Sequence, residues 1–198
     1  MILVFMVAVA ALSVLAGGGS LGKLSQVRIR LRGTIAAALV LQILIISVIP
    51  TEMAGLSGQV VELVSYALAV LFLVANRRIP WLWLVGIGGL SNLVAIGAND
   101  GVMPASPVAL RAAGRVLGQG RFLNSAPLLH PHMAFLGDVF STPRTWPLAN
   151  VFSVGDILLA IGAFLLLHSV CESRLARAAR GTVHLRRRSP APKPAVSA

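Results

Sequence analysis

Apolar positions along this chain follow neither strict alternation nor a narrow helical stripe. They come in long unbroken blocks separated by short polar, proline-containing or basic segments. Helices are expected over 1–22, 34–49, 56–75, 81–98 and 152–170. The first block holds no charge before Lys23, the second stops at Pro50, and the fourth opens behind Pro80, which suits a first helical turn. Crossing a hydrocarbon core of about 30 Å takes roughly 20 mostly apolar residues, and these blocks approach that length.

Composition pushes the picture in the same direction. Of 198 residues, 57% are hydrophobic and 12% charged, and the mean hydropathy is +0.85. A chain of this make-up lacks the polar residues to cover a water-exposed domain, which excludes an ordinary cytosolic enzyme and a disordered chain. Cys171 is the lone cysteine, which excludes an intrachain disulfide and a cysteine-based zinc cluster. The expected fold is therefore an all-α integral membrane protein of five transmembrane helices, with a long irregular outer segment, 99–151, between helices four and five. Residues 1–171 form the membrane domain in this reading, and 172–198 a basic, proline-rich tail that is disordered at its end.

Charge sets an orientation. Lys23, Arg28, Arg30 and Arg32 lie between blocks one and two, Arg77 and Arg78 between three and four, and seven more basic residues follow block five. Thirteen of the 17 basic residues fall on one side and Arg111, Arg115, Arg121 and Arg144 on the other. The crowded side is cytoplasmic by the positive-inside rule, so five spans put the N-terminus outside and the tail inside. The apolar run starts at Met1 with the basic cluster after it, the reverse of a signal peptide, so the first helix is expected to be retained. Trp81 and Trp83 are expected at the inner interface and Trp146 at the outer one. In the tail, Arg174, Arg177, Arg180, Arg186, Arg187 and Arg188 are expected to contact anionic lipid headgroups. Without aromatic interleaving, nucleic acid is not an expected partner.

The candidate chemistry is sparse. Gln42, Glu62 and Asn92 lie within apolar blocks, as do Ser65, Tyr66 and Ser91. Interhelical hydrogen bonding accounts for them better than an ion path, although a buried Glu62 would be the proton-relay candidate. Gly18 with Gly22, and Gly86, Gly88 and Gly89, offer small faces for close helix contact. In the outer segment, Ser106-Pro107 reads as the start of a short amphipathic helix carrying Arg111 and Arg115. Asp138 and Asp156 sit in a near-repeat, Leu136-Gly137-Asp138-Val139 against Val154-Gly155-Asp156-Ile157. Asp156 or Ser153 suits a helix cap, whereas Asp138 has arginines nearby in sequence. With His130 and His132, the two carboxylates are the candidate catalytic set. Two histidines without helical spacing do not make a metal site, and neither a metal nor a cofactor is expected.

Several short motifs carry a resemblance: Arg32-Gly33 opening the block with Gln42, Asn99-Asp100-Gly101-Val102-Met103-Pro104 after block four, then Leu136-Gly137-Asp138 and Val154-Gly155-Asp156. Over roughly 1–170 the chain resembles a family of small bacterial multi-pass membrane proteins catalogued only as a domain of unknown function. That family more often has Gly where Asp100 stands. The resemblance implies a bacterial plasma-membrane location and no particular activity. No phosphate loop, hydrolase elbow, zinc-protease helix or dinucleotide fingerprint occurs. The favoured reading is a non-enzymatic accessory or structural subunit using 99–151 as its contact surface, alone or as a homo- or hetero-oligomer. The alternatives are a membrane enzyme acting on a lipid-linked substrate through Asp138 and Asp156, and a small transporter or channel.

Overall fold

The structure is a computed structural model that describes residues 2–48, 55–114 and 125–179, apart from the side chains at 2, 42, 43, 45–48, 55–59 and 62. Gln42 and Glu62 thus lie outside the described side chains, and Arg115, Arg121, Arg180, Arg186, Arg187 and Arg188 outside the described residues.

The helices form where the apolar blocks lie: α1 Ile2–Ala16, α2 Arg32–Val48, α3 Gly55–Ala75, α4 Leu82–Gly97 and α6 Val154–Val170, with the short α5 Pro107–Ala112 between the last two. Among the described residues, however, no helix is long and apolar enough to cross a membrane, which overturns the expected five transmembrane helices. At 1.5 Å per residue, α1, α2, α4 and α6 span only about 22–26 Å. The reason is clearest in α1, which ends six residues early. Gly17-Gly18-Gly19 breaks it, with Gly18 at φ +66°, and the chain continues as a 3₁₀ turn over Leu21–Gln26. At the other end of the chain, Val151–Phe152 is drawn into a strand, so α6 begins only at Val154.

The all-α expectation is corrected as well. The segment between α4 and α6 contains four two-residue strands: β1 Met103–Pro104, β2 Ser125–Ala126, β3 Phe140–Ser141 and β4 Val151–Phe152. β1 pairs with β2 in parallel and β3 with β4 antiparallel, and Ala105 bridges to Asp138. Beneath them Ala105, Ala109, Leu110, Ala113 and Val151 form a small buried core.

Glycine decides how the long helices meet. α6 runs antiparallel to α4 at backbone distance: a Cβ on Gly155 would lie 1.9 Å from the Asn92 Oδ1, one on Gly88 2.7 Å from the Gly155 carbonyl, and one on Gly162 2.8 Å from the Val85 nitrogen. Such approach is open only to residues without a side chain. α1 runs alongside α6 in the same direction, its C-terminal loop bonded to that of α6 through Ser20 N–H to the Cys171 carbonyl at 3.0 Å and Arg174 N–H to the Gly17 carbonyl at 2.9 Å. The bundle therefore has two distinct ends. One gathers the C-termini of α1, α3 and α6 with the start of α4. The other gathers the N-termini of α1 and α6, the end of α4 and the short strands.

Candidate functional site

At the strand-bearing end, the start of α6 is built by local rules. Ser153 accepts a hydrogen bond from the Asp156 N–H at 3.0 Å, and the Asp156 carboxylate accepts one from the Ser153 N–H at 3.1 Å. This reciprocal capping box satisfies two of the donors that a helix start leaves open. Asn92 of α4 then reads the box from the side. Its Nδ2 donates to Asp156 Oδ1 at 2.9 Å, and its Oδ1 accepts from the Ser153 hydroxyl at 2.8 Å. The removal of any Cβ from Gly155 is what admits the Asn92 amide.

Asp156 also borders a cavity of about 640 Å³, which follows the α1–α6 seam between Met6 and Val9 on one side and Ala160 and Phe164 on the other. Trp146, Thr142 and Phe152 close its upper part, and apart from Thr142 the acidic Asp156 stands in an apolar lining. The shape suits an apolar chain rather than a polar small molecule.

Asp138 belongs to a different network. It is buried, accepts a short hydrogen bond from the Ser125 hydroxyl at 2.6 Å, and its backbone bonds to Pro104 and Ser106 on either side of the Ala105 bridge. The partners of Asp138 and Asp156 do not overlap. The structure thus brings Asn92 together with Asp156 and Ser153, and Asp138 together with Ser125. Neither histidine joins a carboxylate through a side-chain hydrogen bond. His130 and His132 are exposed, and the role of His132 is carried by its backbone: its N–H and carbonyl are both bound by the side-chain amide of Asn99 at 2.8 Å. Among the described residues, no three His, Cys, Asp or Glu side chains are grouped to hold a metal ion.

The outer motif works as a turn. Asn99 is buried and closes the end of α4, donating also to the Ala95 carbonyl at 2.7 Å. Asp100 then takes φ +54° and Gly101 φ +86°. A left-handed conformation costs most side chains about 1–2 kcal/mol and Asp or Asn less, which suits Asp to this position. Gly137 sits against β1, where a Cβ would lie 2.2 Å from the Pro104 carbonyl oxygen.

One cluster escaped sequence reasoning. His168, in the last turn of α6, is buried between two serines, with Nε2 2.9 Å from Ser13 Oγ and Nδ1 2.7 Å from Ser173 Oγ. Ser13 already donates to the Ala10 carbonyl, so Nε2 donates to Ser13, and Nδ1 is hydrogen-bonded to Ser173. The trio locks the C-terminal ends of α1 and α6 together. Its signal was a histidine inside an apolar block, which a search for exposed chemistry passes over. Nearby, Lys23 and Glu172 form an ion pair at the surface, and Cys171 is buried, which pushes its thiol above the ordinary value against a smaller opposing pull from Lys23.

The comparisons with known proteins bear on family and not on chemistry. An uncharacterized protein of Thermotoga maritima is 32% identical over 101 residues, 51% of this chain and 58% of the relative, so the chain spans little more than half of that protein's length. No solved structure matches. The decisive match covers residues 26–168, from the arginine segment before α2 to the buried histidine of α6, and by it the chain belongs to the family described as "Family of unknown function (DUF5317)".

Proposed function

We propose that the chain is a non-enzymatic accessory protein associated with the bacterial plasma membrane, its apolar helix faces lying against lipid and residues 99–151 serving as the contact surface for another protein. The observation that carries this reading is where the large aliphatic side chains sit: Val4, Leu12, Leu39, Leu63 and Val74 on three different helices are 57–72% exposed. Large aliphatic side chains exposed in this number are uncommon against water and ordinary against acyl chains. Within 99–151, Leu129, Met133 and Phe135 are likewise exposed, which supports a protein contact there.

The non-enzymatic part rests on how the polar groups are used. Asp138 and Asp156 belong to separate networks that hold strands and a helix start in place. Among the described residues, every buried side-chain nitrogen and oxygen has a hydrogen-bond partner. Asn92, the described member of the transport candidates, has its amide committed to α6.

Two measurements test the reading. The full chain, expressed in a bacterium, is expected to stay in the membrane fraction through an alkaline carbonate wash; release as a monodisperse species without detergent overturns the membrane assignment. In detergent, Asp138→Asn and Asp156→Asn are each expected to lower stability by about 1–2 kcal/mol, because each removes charge-assisted hydrogen bonds. Unchanged or raised stability in both variants would mark the carboxylates as held for chemistry, and would overturn the non-enzymatic assignment.

A further inference from the structure

At the end of the bundle away from the strands, a second cavity of about 320 Å³ opens between the segment before α2 and the turn joining α3 to α4. Arg28, Arg30 and Arg78 line it, with Val27, Ile79 and Pro80 forming an apolar wall. The arrangement is built rather than incidental. Arg28 and Arg30 both border the cavity from the segment that leads into α2. Asn76, 3% exposed, fixes that segment. Its Oδ1 accepts from the Arg30 N–H at 2.8 Å, and its Nδ2 donates to the Arg30 and Phe72 carbonyls, both at 2.8 Å.

Three arginines lining one cavity concentrate positive charge there, and such a grouping is ordinarily relieved by carboxylates. Here none serves. Among the described residues the ion pair present is Lys23 with Glu172; Asp138 and Asp156 are engaged near the far end, and Asp100 lies beyond the 16 residues of α4. A rigid fork of donors, unneutralised and backed by apolar wall, fits the oxygens of a phosphate group.

The geometry points to a phosphate-binding site formed by Arg28, Arg30 and Arg78, with Asn76 as the residue that positions Arg30. The ligand class is a phosphate ester or inorganic phosphate, whether it belongs to a lipid headgroup or to a soluble molecule. This site does not depend on the membrane reading above.

The test uses the full chain in neutral detergent, following thermal unfolding and tryptophan fluorescence, since Trp81 follows directly on Pro80 of the cavity wall and Trp83 lies two residues further. One arm titrates inorganic phosphate against chloride at equal ionic strength. The other adds mixed micelles with phosphatidylglycerol, against phosphatidylcholine as the neutral control. Protection by inorganic phosphate identifies a soluble source as sufficient; protection by phosphatidylglycerol alone identifies the headgroup. In either arm, Arg28→Gln with Arg30→Gln, and separately Arg78→Gln, are expected to weaken binding about tenfold or more, while Arg111→Gln on α5 leaves it unchanged. These arginines are exposed, so the variants are expected to fold as the parent does. No protection in either arm, or equal protection of the parent and the Arg28/Arg30 variant, overturns the site.

Discussion

Asn76 and Asn99 perform the same task at opposite ends of the molecule. Each lies just beyond the end of a long helix, is buried, and donates back to the carbonyl four residues earlier, Phe72 for one and Ala95 for the other. Each then clips both backbone groups of a distant residue, Arg30 in one case and His132 in the other. The surroundings differ. Around Asn76 the clipped segment presents arginines to an open cavity. Around Asn99 the chain is knitted into short strands over a buried alanine-rich core. One backbone device thus serves both an end where the clipped segment borders a basic cavity and an end where it is tied to short strands.

The sharpest way to break the comparison is through glycine. Gly137→Ala at the Asn99 end would drive a methyl group to 2.2 Å from a backbone carbonyl that cannot move alone, so a loss above about 3 kcal/mol is expected on denaturation in detergent. Gly33→Ala at the Asn76 end meets nothing within 4 Å in the first turn of α2. It is expected to be neutral or to stabilise by about 0.5–1 kcal/mol through helix propensity. Equal losses at the two positions would mean that both ends are packed alike.

The clamps themselves come next. Asn76→Ala and Asn99→Ala are each expected to cost about 1–3 kcal/mol, because each removes three hydrogen bonds and strands buried backbone groups. Phosphate titration separates them: Asn76→Ala is expected to weaken protection and Asn99→Ala to leave it as in the parent. The smallest effect concerns Cys171, at the Asn76 end. Its thiol value is raised by burial, so the fold favours the protonated form. The stability this contributes is present in full below the ordinary thiol value of 9.0 and is lost as pH climbs through the higher folded value. Labelling by a thiol reagent at pH 8 is therefore expected to be slow in the native chain and fast in denaturant; fast native labelling would mean that this end opens readily.

Much of the local structure was legible. The apolar blocks mark the helices to within a few residues, apart from the early end of α1, because long runs of Leu, Val, Ala and Ile bounded by Pro, Gly and Arg leave few other ways to satisfy the backbone. Ser106-Pro107 and Ser153 with Asp156 mark helix starts through rules that act within four residues. In α1 and α6 the expected spans fall short because block length is not helix length: the glycine triplet after Ala16 and the strand at Val151–Phe152 take residues away from the helices. For the candidate sites the division is sharper. Nothing in the spacing of Asn92 and Asp156, 64 residues apart, or of Ser13 and His168, 155 apart, shows that they touch.

By itself, then, the sequence determined the helical blocks, their caps, and the grouping of arginines in the segments around 23–32 and 77–78, since each depends on neighbours along the chain. Only the tertiary structure decided that Arg28, Arg30 and Arg78 share one cavity, that Asp138 and Asp156 have separate partners, and that two asparagines close the two ends. Those outcomes depend on glycine-to-backbone approaches of α4 to α6 and on amides reaching across 33 to 46 residues of chain, and no local pattern encodes a distance of that kind.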